Sequence, residues 1–290
     1  MGETPLTHGQ QRHFLLRLWD SIVVQPLREI DEEARAFQNS PQSGLVDRKT
    51  IVVMITTCVV LTMQAYLSGG EALDYLVRSL RTLGLAGAAD GIESAMYDRE
   101  NAQLAVLLAW CGLRAIEWLV VPAIIIRLVF RERVADYGMK LRGAIDGWWL
   151  YLVMLAVVLP LVFYVSSGHS FLKTYPYYQL DEEESLWPRF LCWEAAYFAQ
   201  FFCLEFYFRG FMVHGTRHRF GWYSIFVMTI PYCMIHFGKP MPETLGSIVA
   251  GVVLGFMSLK TRSIWLGTAL HITVAGTMDM LALSHGGRFR

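Results

Sequence analysis

CLEFYFRGFMVHG, residues 203–215, sets Glu205 and Arg209 four residues apart among Phe, Tyr, Leu and Met. The solvent around this stretch decides the fold. In a bilayer, an acidic or basic residue at a helix centre costs about 2.5–3.5 kcal/mol, so it faces protein or water and becomes a functional candidate. Composition selects that setting. Of 290 residues, 54% are hydrophobic and 17% charged, whereas an ordinary soluble domain carries about a quarter charged residues. The 25 basic residues balance 25 acidic ones, and no basic run with interleaved aromatics points to nucleic acid. The stretch FLLRLWDSIVVQPL (14–27) is interrupted by Arg17 and Asp20 and lacks a small-residue cleavage site, so it is not expected to act as a signal peptide. The five cysteines form no CxxC pair and fall in apolar stretches, as buried thiols do.

A spanning helix needs roughly 20 mostly apolar residues. Seven segments qualify, at about 50–68, 104–129, 146–167, 189–213, 221–236, 243–259 and 263–284. The expected fold is all-α: a polytopic membrane bundle of about seven transmembrane helices behind an N-terminal amphipathic segment. Basic residues cluster before the first segment, around Arg127–Arg142, at Arg217/Arg219 and at Lys260/Arg262, and with seven crossings all four clusters fall on one side. Acids fill the alternate loops, including DEEE at 181–184. By the positive-inside rule the N-terminus is cytoplasmic. An integral, multi-pass protein of a bacterial cytoplasmic membrane is the expected setting. Residues 8–38 alternate apolar and charged at helical spacing and read as an interfacial helix. Residues 69–100 read as a long outer loop, and 132–143 as a short cytoplasmic connector. The chain divides into an N-terminal segment (1–49), a transmembrane scaffold (50–188) and the chemistry-bearing helices (189–285).

Charges inside the segments are concentrated. Arg114 and Glu117 are three apart in the second and can neutralise each other while pinning that helix to a neighbour. The fourth has Glu194, Glu205 and Arg209; the fifth ends at His236; the seventh has His271 and Asp279. Glu205 and Arg209 are open to the same self-neutralising reading. Two histidines in apolar settings, YCMIHFGKP and GTALHITVAG, turn the pair into a constellation. Glutamate can take a proton from water, and imidazole can orient that water or donate to an oxyanion. Glutamate and two histidines can also hold a zinc ion, although no HExxH is present.

EFYFRGF at 205–211, YCMIHFGKP at 232–240 and AGVVLGFMSLKTRSIWLGTALH at 250–271 together resemble the CPBP family, also called the Abi or type II CAAX-protease family. The resemblance covers roughly 190–285. It implies a glutamate-dependent intramembrane endopeptidase, often described as a metalloprotease, with motifs EExxxR, FxxxH and HxxxN/D on three helices. Carried onto this chain, those motifs fall on Glu205 with Arg209, on Tyr232 with His236, and on His271. Leu204 stands where the first Glu of EExxxR belongs, Tyr232 replaces the Phe, and Ala275 replaces the polar residue of HxxxN/D. Asp279, one turn beyond Ala275, is the expected substitute. Glu194, eleven residues before Glu205, is expected to support the site or pack beside it.

The leading expectation is a protease acting on a membrane-anchored protein or peptide in the lipid bilayer. Glu205 activates water with His236, Arg209 orients Glu205, and His271 stabilises the oxyanion with help from Asp279. If a divalent metal such as zinc is the cofactor, Glu205, His236, His271 and Asp279 are its ligands. The losses at Leu204 and Ala275 keep open a non-catalytic chaperone, immunity or assembly factor on the same fold. A proton-coupled transporter is a third reading, opposed by the lack of paired broken helices in matching halves.

Overall fold

The computed structural model describes residues 8–41, 43–44, 46–98, 101–179 and 187–287. The acidic run 181–184 lies outside them. The described residues hold helices and no strand, apart from one isolated bridge between Met139 and Ser263.

The N-terminal segment is helical as its periodicity predicts: α1 (His8–Trp19), a π-helical turn (Asp20–Val24) and α2 (Gln25–Gln38). α3 (Arg48–Tyr66) opens on Asp47, whose side chain accepts from the Thr50 amide and satisfies one of the free donors of the first turn. The expected outer loop instead contains α4 (Gly69–Thr82) and α5 (Ala86–Tyr97). Ser68 and Glu71 form a reciprocal capping box that starts α4, a local signal written in SGGE. α6 (Ala102–Ala115) continues through a π-helical turn, α7 (Val121–Ile124) and a second π-helical turn to Val129. Pro122 cannot donate to the carbonyl one turn back, and the first π-helical turn, Ile116–Val120, accommodates that missing bond.

α8 (Trp148–Val165) carries no charge and leaves Leu152, Val153, Val157, Leu161 and Phe163 exposed along its length. An apolar exposed flank of this kind suits hydrocarbon. The short α9 (His169–Thr174) follows. α10 (Arg189–Glu205), the π-helical segment Phe206–Met212 and α11 (Val213–Phe220) run on without a break. Every residue from 203 to 216 is buried, so the opening stretch is the axis about which the other helices pack. α12 (Ser224–Met234), α13 (Met241–Thr261) and α14 (Trp265–His285) complete the chain.

Five helices are long and apolar enough to cross a membrane: Arg48–Tyr66, Ala102–Val129, Trp148–Val165, Met241–Thr261 and Trp265–His285. The fourth and fifth expected spans are not among them. α10 carries charge, and α12 has 11 residues, about 16 Å of helix against a hydrocarbon layer of about 30 Å. Pro231 lies inside α12 and Gly238 follows with φ 92°, so the chain turns back early.

The basic clusters converge at one end of the bundle. Glu33 meets Arg262 at 2.7 Å and Arg217 at 3.6 Å, Lys49 meets Glu132 at 2.8 Å, and His218 meets Asp47 at 2.7 Å. The N-terminal segment, the 132–143 connector and the α11 and α13 ends therefore share one surface. The opposite end joins Arg189 to Asn101 and Tyr175 to Glu243.

Candidate functional site

Glu205 closes α10 and Arg209 sits in the π-helical segment that follows. π-Helical turns inside α-helices often mark functional sites, because the wider turn redirects side chains and frees backbone groups. Here the Arg209 carbonyl accepts from the Ser258 hydroxyl of α13 at 3.0 Å, and Ser258 in turn lies 3.1 Å from His214 Nε2. The segment is thereby tied to α13.

Glu205 and Arg209 are fully buried. Glu205 Oε1 lies 3.1 Å from Arg209 Nη1 and 3.0 Å from His271 Nδ1 on α14. One carboxylate oxygen thus serves both neighbours, while Oε2 has no hydrogen-bond partner. The close approach of α14 depends on Gly267: a Cβ there would stand 3.3 Å from Glu205 Oε2. Arg209 stacks its guanidinium on the Tyr232 ring, 3.8 Å from the centroid, an arrangement that suits a planar cation. Tyr232 also holds His236, edge-on at 4.8 Å, and its carbonyl lies 2.8 Å from His236 Nδ1. A carbonyl only accepts, so Nδ1 carries the proton and Nε2 of the neutral ring is an acceptor. Nη1 of Arg209 meets Glu205 as an ion pair, while Nε and Nη2 make no hydrogen bond. These donors and Glu205 Oε2 are the groups that a water molecule or a substrate carbonyl would satisfy.

The site thus joins Glu205, Arg209, Tyr232, His236 and His271 through three helical stretches. Asp279 is elsewhere. It is buried beside Glu194, and none of the four carboxyl oxygens has a hydrogen-bond partner. Ala275 packs in an apolar cluster with Trp193, Tyr197 and Phe201. The expected substitution of Asp279 for the missing polar group at Ala275 is therefore not what the geometry provides: Asp279 faces Glu194 across the α10–α14 contact. His271 engages the carboxylate through Nδ1, a contact that its expected oxyanion part did not include. Among the described residues no three His, Cys, Asp or Glu side chains gather as a metal site. With Asp279 at Glu194 and Glu205 held by Arg209, the quartet considered for zinc does not fit a tetrahedral ion.

Sequence reasoning passed over Ser258, His214 and Gly267. Ser258 offered a signal, being a hydroxyl in an otherwise apolar helix; Gly267 offered none, since only the helix contact shows what its missing Cβ makes room for.

A bundle of membrane-crossing helices with a buried carboxylate, guanidinium and two imidazoles at its centre defines the class: a polytopic membrane protein with an intramembrane polar site. More particularly, residues 186–277 match the family model described as Type II CAAX prenyl endopeptidase Rce1-like, a family of proteases. The resemblance drawn from the three motifs is borne out over that part of the chain, and the chain is an integral membrane protein. No curated protein and no solved structure gives a significant match.

Proposed function

We propose that the chain is an intramembrane endopeptidase that hydrolyses a peptide bond of a membrane-anchored protein or peptide, with Glu205 activating the attacking water. The observation that carries this reading is the Glu205 carboxylate, fully buried, with Oε1 engaged by Arg209 and His271 and Oε2 unmet. A carboxylate held in that way has one lone-pair face left for a proton. His236 accepts from the same water through Nε2 and fixes its direction. The water oxygen bonds to the scissile carbonyl carbon as its proton passes to Glu205. The resulting oxyanion is stabilised by the unmet Arg209 donors. Glu205 then returns the proton to the leaving amine as the C–N bond breaks. His271 is a positioning residue, setting the direction of Oε1.

The chain crosses the membrane seven times in this proposal, with the N-terminus and the four basic clusters in the cytoplasm. Their ion pairs at one end of the bundle support it, since each intervening stretch must then cross an even number of times. α10 with the π-helical segment that follows it, and the short α12 with its following turn, supply the two crossings beyond the five apolar helices.

The test is cleavage of membrane-anchored reporter peptides, prenylated and unprenylated, by the purified protein in lipid nanodiscs. Glu205→Gln keeps shape and removes the proton acceptor, so turnover is expected to fall at least about a hundredfold. Turnover at the parental rate in that variant would overturn the assignment. A non-catalytic assembly, immunity or chaperone role is favoured by the apolar surroundings of Leu204 and Ala275, and absence of cleavage by the parental protein on every reporter would select it.

A further inference from the structure

A polar cavity lies apart from Glu205, at the end of the bundle where the basic clusters meet. It has a volume of about 660 Å³, and its lining includes Ile22, Arg142, Asp146, Trp149, Lys260 and Thr261. Its level in the membrane follows from the helices that bound it. Trp148 is the first residue of α8 and Thr261 the last of α13, so both apolar helices leave the hydrocarbon layer at this cavity. Trp148 and Trp149 are exposed there, and indole rings favour the headgroup level.

Two cations enter the cavity without a carboxylate partner among the described residues. Lys260 Nζ donates to the Ile22 carbonyl at 3.0 Å, which uses one of the three N–H donors of an ammonium. Arg142 has no hydrogen bond or ion pair to another described residue, leaving its planar fork of donors open. Asp146 is the one acid in the lining, and its Oδ2 lies 3.0 Å from where a Cβ on Gly143 would be. That carboxylate is turned onto the tight turn, whose glycines, Gly143 and Gly147, have φ 79° and 73°. The Thr261 hydroxyl already donates to the Met257 carbonyl. Two unpaired cations against one carboxylate leave the cavity net positive, and Ile22, Trp149 and Leu150 give it an apolar side.

We propose that this cavity binds the phosphate of an anionic glycerophospholipid. Arg142 and Lys260 take the phosphate oxygens, and Ile22, Trp149 and Leu150 contact the glycerol and the first acyl methylenes. A free phosphate ion offers the same anion chemistry but leaves the apolar side unused, and basic pockets between membrane helices suit lipid headgroups. Because Lys260 also holds the Ile22 carbonyl, an occupied site joins the N-terminal segment to α8 and α13.

The experiment uses the full chain purified in detergent and presented with phosphatidylglycerol, phosphatidylcholine or inorganic phosphate, with bound ligand read by native mass spectrometry. Phosphatidylglycerol should be retained over phosphatidylcholine, and excess inorganic phosphate should not displace it. Arg142→Gln with Lys260→Gln should lower retention roughly tenfold or more, from the loss of two charges at the headgroup level. Asp146→Asn should raise retention, a direction that impaired folding cannot produce. Equal retention of the two lipids, parental retention in the double variant, or no gain with Asp146→Asn would overturn the proposal. Displacement of the lipid by inorganic phosphate would assign the site to the free ion and overturn the lipid assignment. None of these readouts depends on peptide cleavage, so the result stands apart from the fate of Glu205.

Discussion

At the scale of single residues, Glu205 and Asp279 show how position rather than residue type sets a role. Both are buried carboxyls in apolar helices. Glu205 has a guanidinium and an imidazole within 3.1 Å, whereas Asp279 faces a second carboxyl, that of Glu194, with the Tyr177 amide and the Trp193 indole nearby but outside hydrogen-bond geometry. A buried polar group without a partner costs about 1–3 kcal/mol. Asp279→Asn supplies a donor to Glu194 and removes one of two adjacent acids, so we expect a higher melting temperature in detergent. Because Asp279 lies beside Glu194 and away from the Glu205–His271 contact, turnover in the same variant should stay within about twofold of the parent, the small effect of a group outside the reacting set. A large loss of turnover with unchanged stability would return Asp279 to the catalytic set. Leu204 and Ala275 are legible in the sequence as departures from the motifs, but their apolar neighbours are known only from packing.

At the scale of elements, the Arg114–Glu117 pair acts as the spacing suggests. Arg114 bonds Glu117 on its own helix and also donates to the Leu67 carbonyl at the end of α3, at 3.0 Å. The pair therefore pins α6 to its neighbour. Arg114→Ala strands a buried carboxylate and should cost about 3–5 kcal/mol in unfolding measurements. The double change Arg114→Met with Glu117→Met removes both charges and leaves only the Leu67 carbonyl unmet, for about 1–3 kcal/mol. Equal losses in the single and double variants would show that packing, not charge, is what Arg114 contributes. The π-helical segment at Phe206–Met212 was not legible in FYFRGFM: the Arg209 carbonyl within it accepts from the Ser258 hydroxyl of α13, a contact 49 residues distant in sequence.

At the scale of the whole molecule, the basic end of the bundle is bound together by charge and should respond to acid. Burial raises the Asp47 carboxyl, but the Thr50 hydrogen bonds and the His218 ring outweigh it and hold the group below its ordinary value. Burial lowers His218, and the attraction of Asp47 only partly offsets it. The neutral ring therefore donates to Asp47. For both groups the unfolded chain binds protons more readily than the folded one, so stability rises with pH across these titrations. The His218 contribution is present above its unfolded value of about 6.5 and is lost as pH falls from there through the lowered folded value; the Asp47 contribution is lost at lower pH, through the carboxylate range. Melting temperature measured against pH should therefore drop below neutrality, and His218→Gln should flatten the upper part of that drop. An unchanged profile would remove His218 from the acid response. Topology can be checked on the same molecule in a cysteine-free background. Ala36→Cys on α2 and Ala88→Cys on α5 are both exposed, and an impermeant thiol reagent applied to intact cells should label Ala88→Cys alone. Labelling of Ala36→Cys alone would invert the orientation. Thr216, in the same basic end, is unsuited to such labelling because it is fully buried.

The sequence by itself determined the solvent, the helical class and the members of the polar set. Apolar run length and the insertion cost of a charge act locally, so Glu205, Arg209, His236 and His271 stand out wherever they are read. The Ser68 capping box and the basic clusters are equally local signals. Which charges meet was decided by tertiary structure alone. His271 reaches Glu205 because Gly267 lacks a Cβ where α14 crosses α10. Asp279, two turns further along α14, lies instead opposite Glu194, since antiparallel neighbours pair residues whose separations from the crossing point match. Helix contacts of this kind depend on side-chain volumes summed across two surfaces, and no periodicity in one strand of sequence records them.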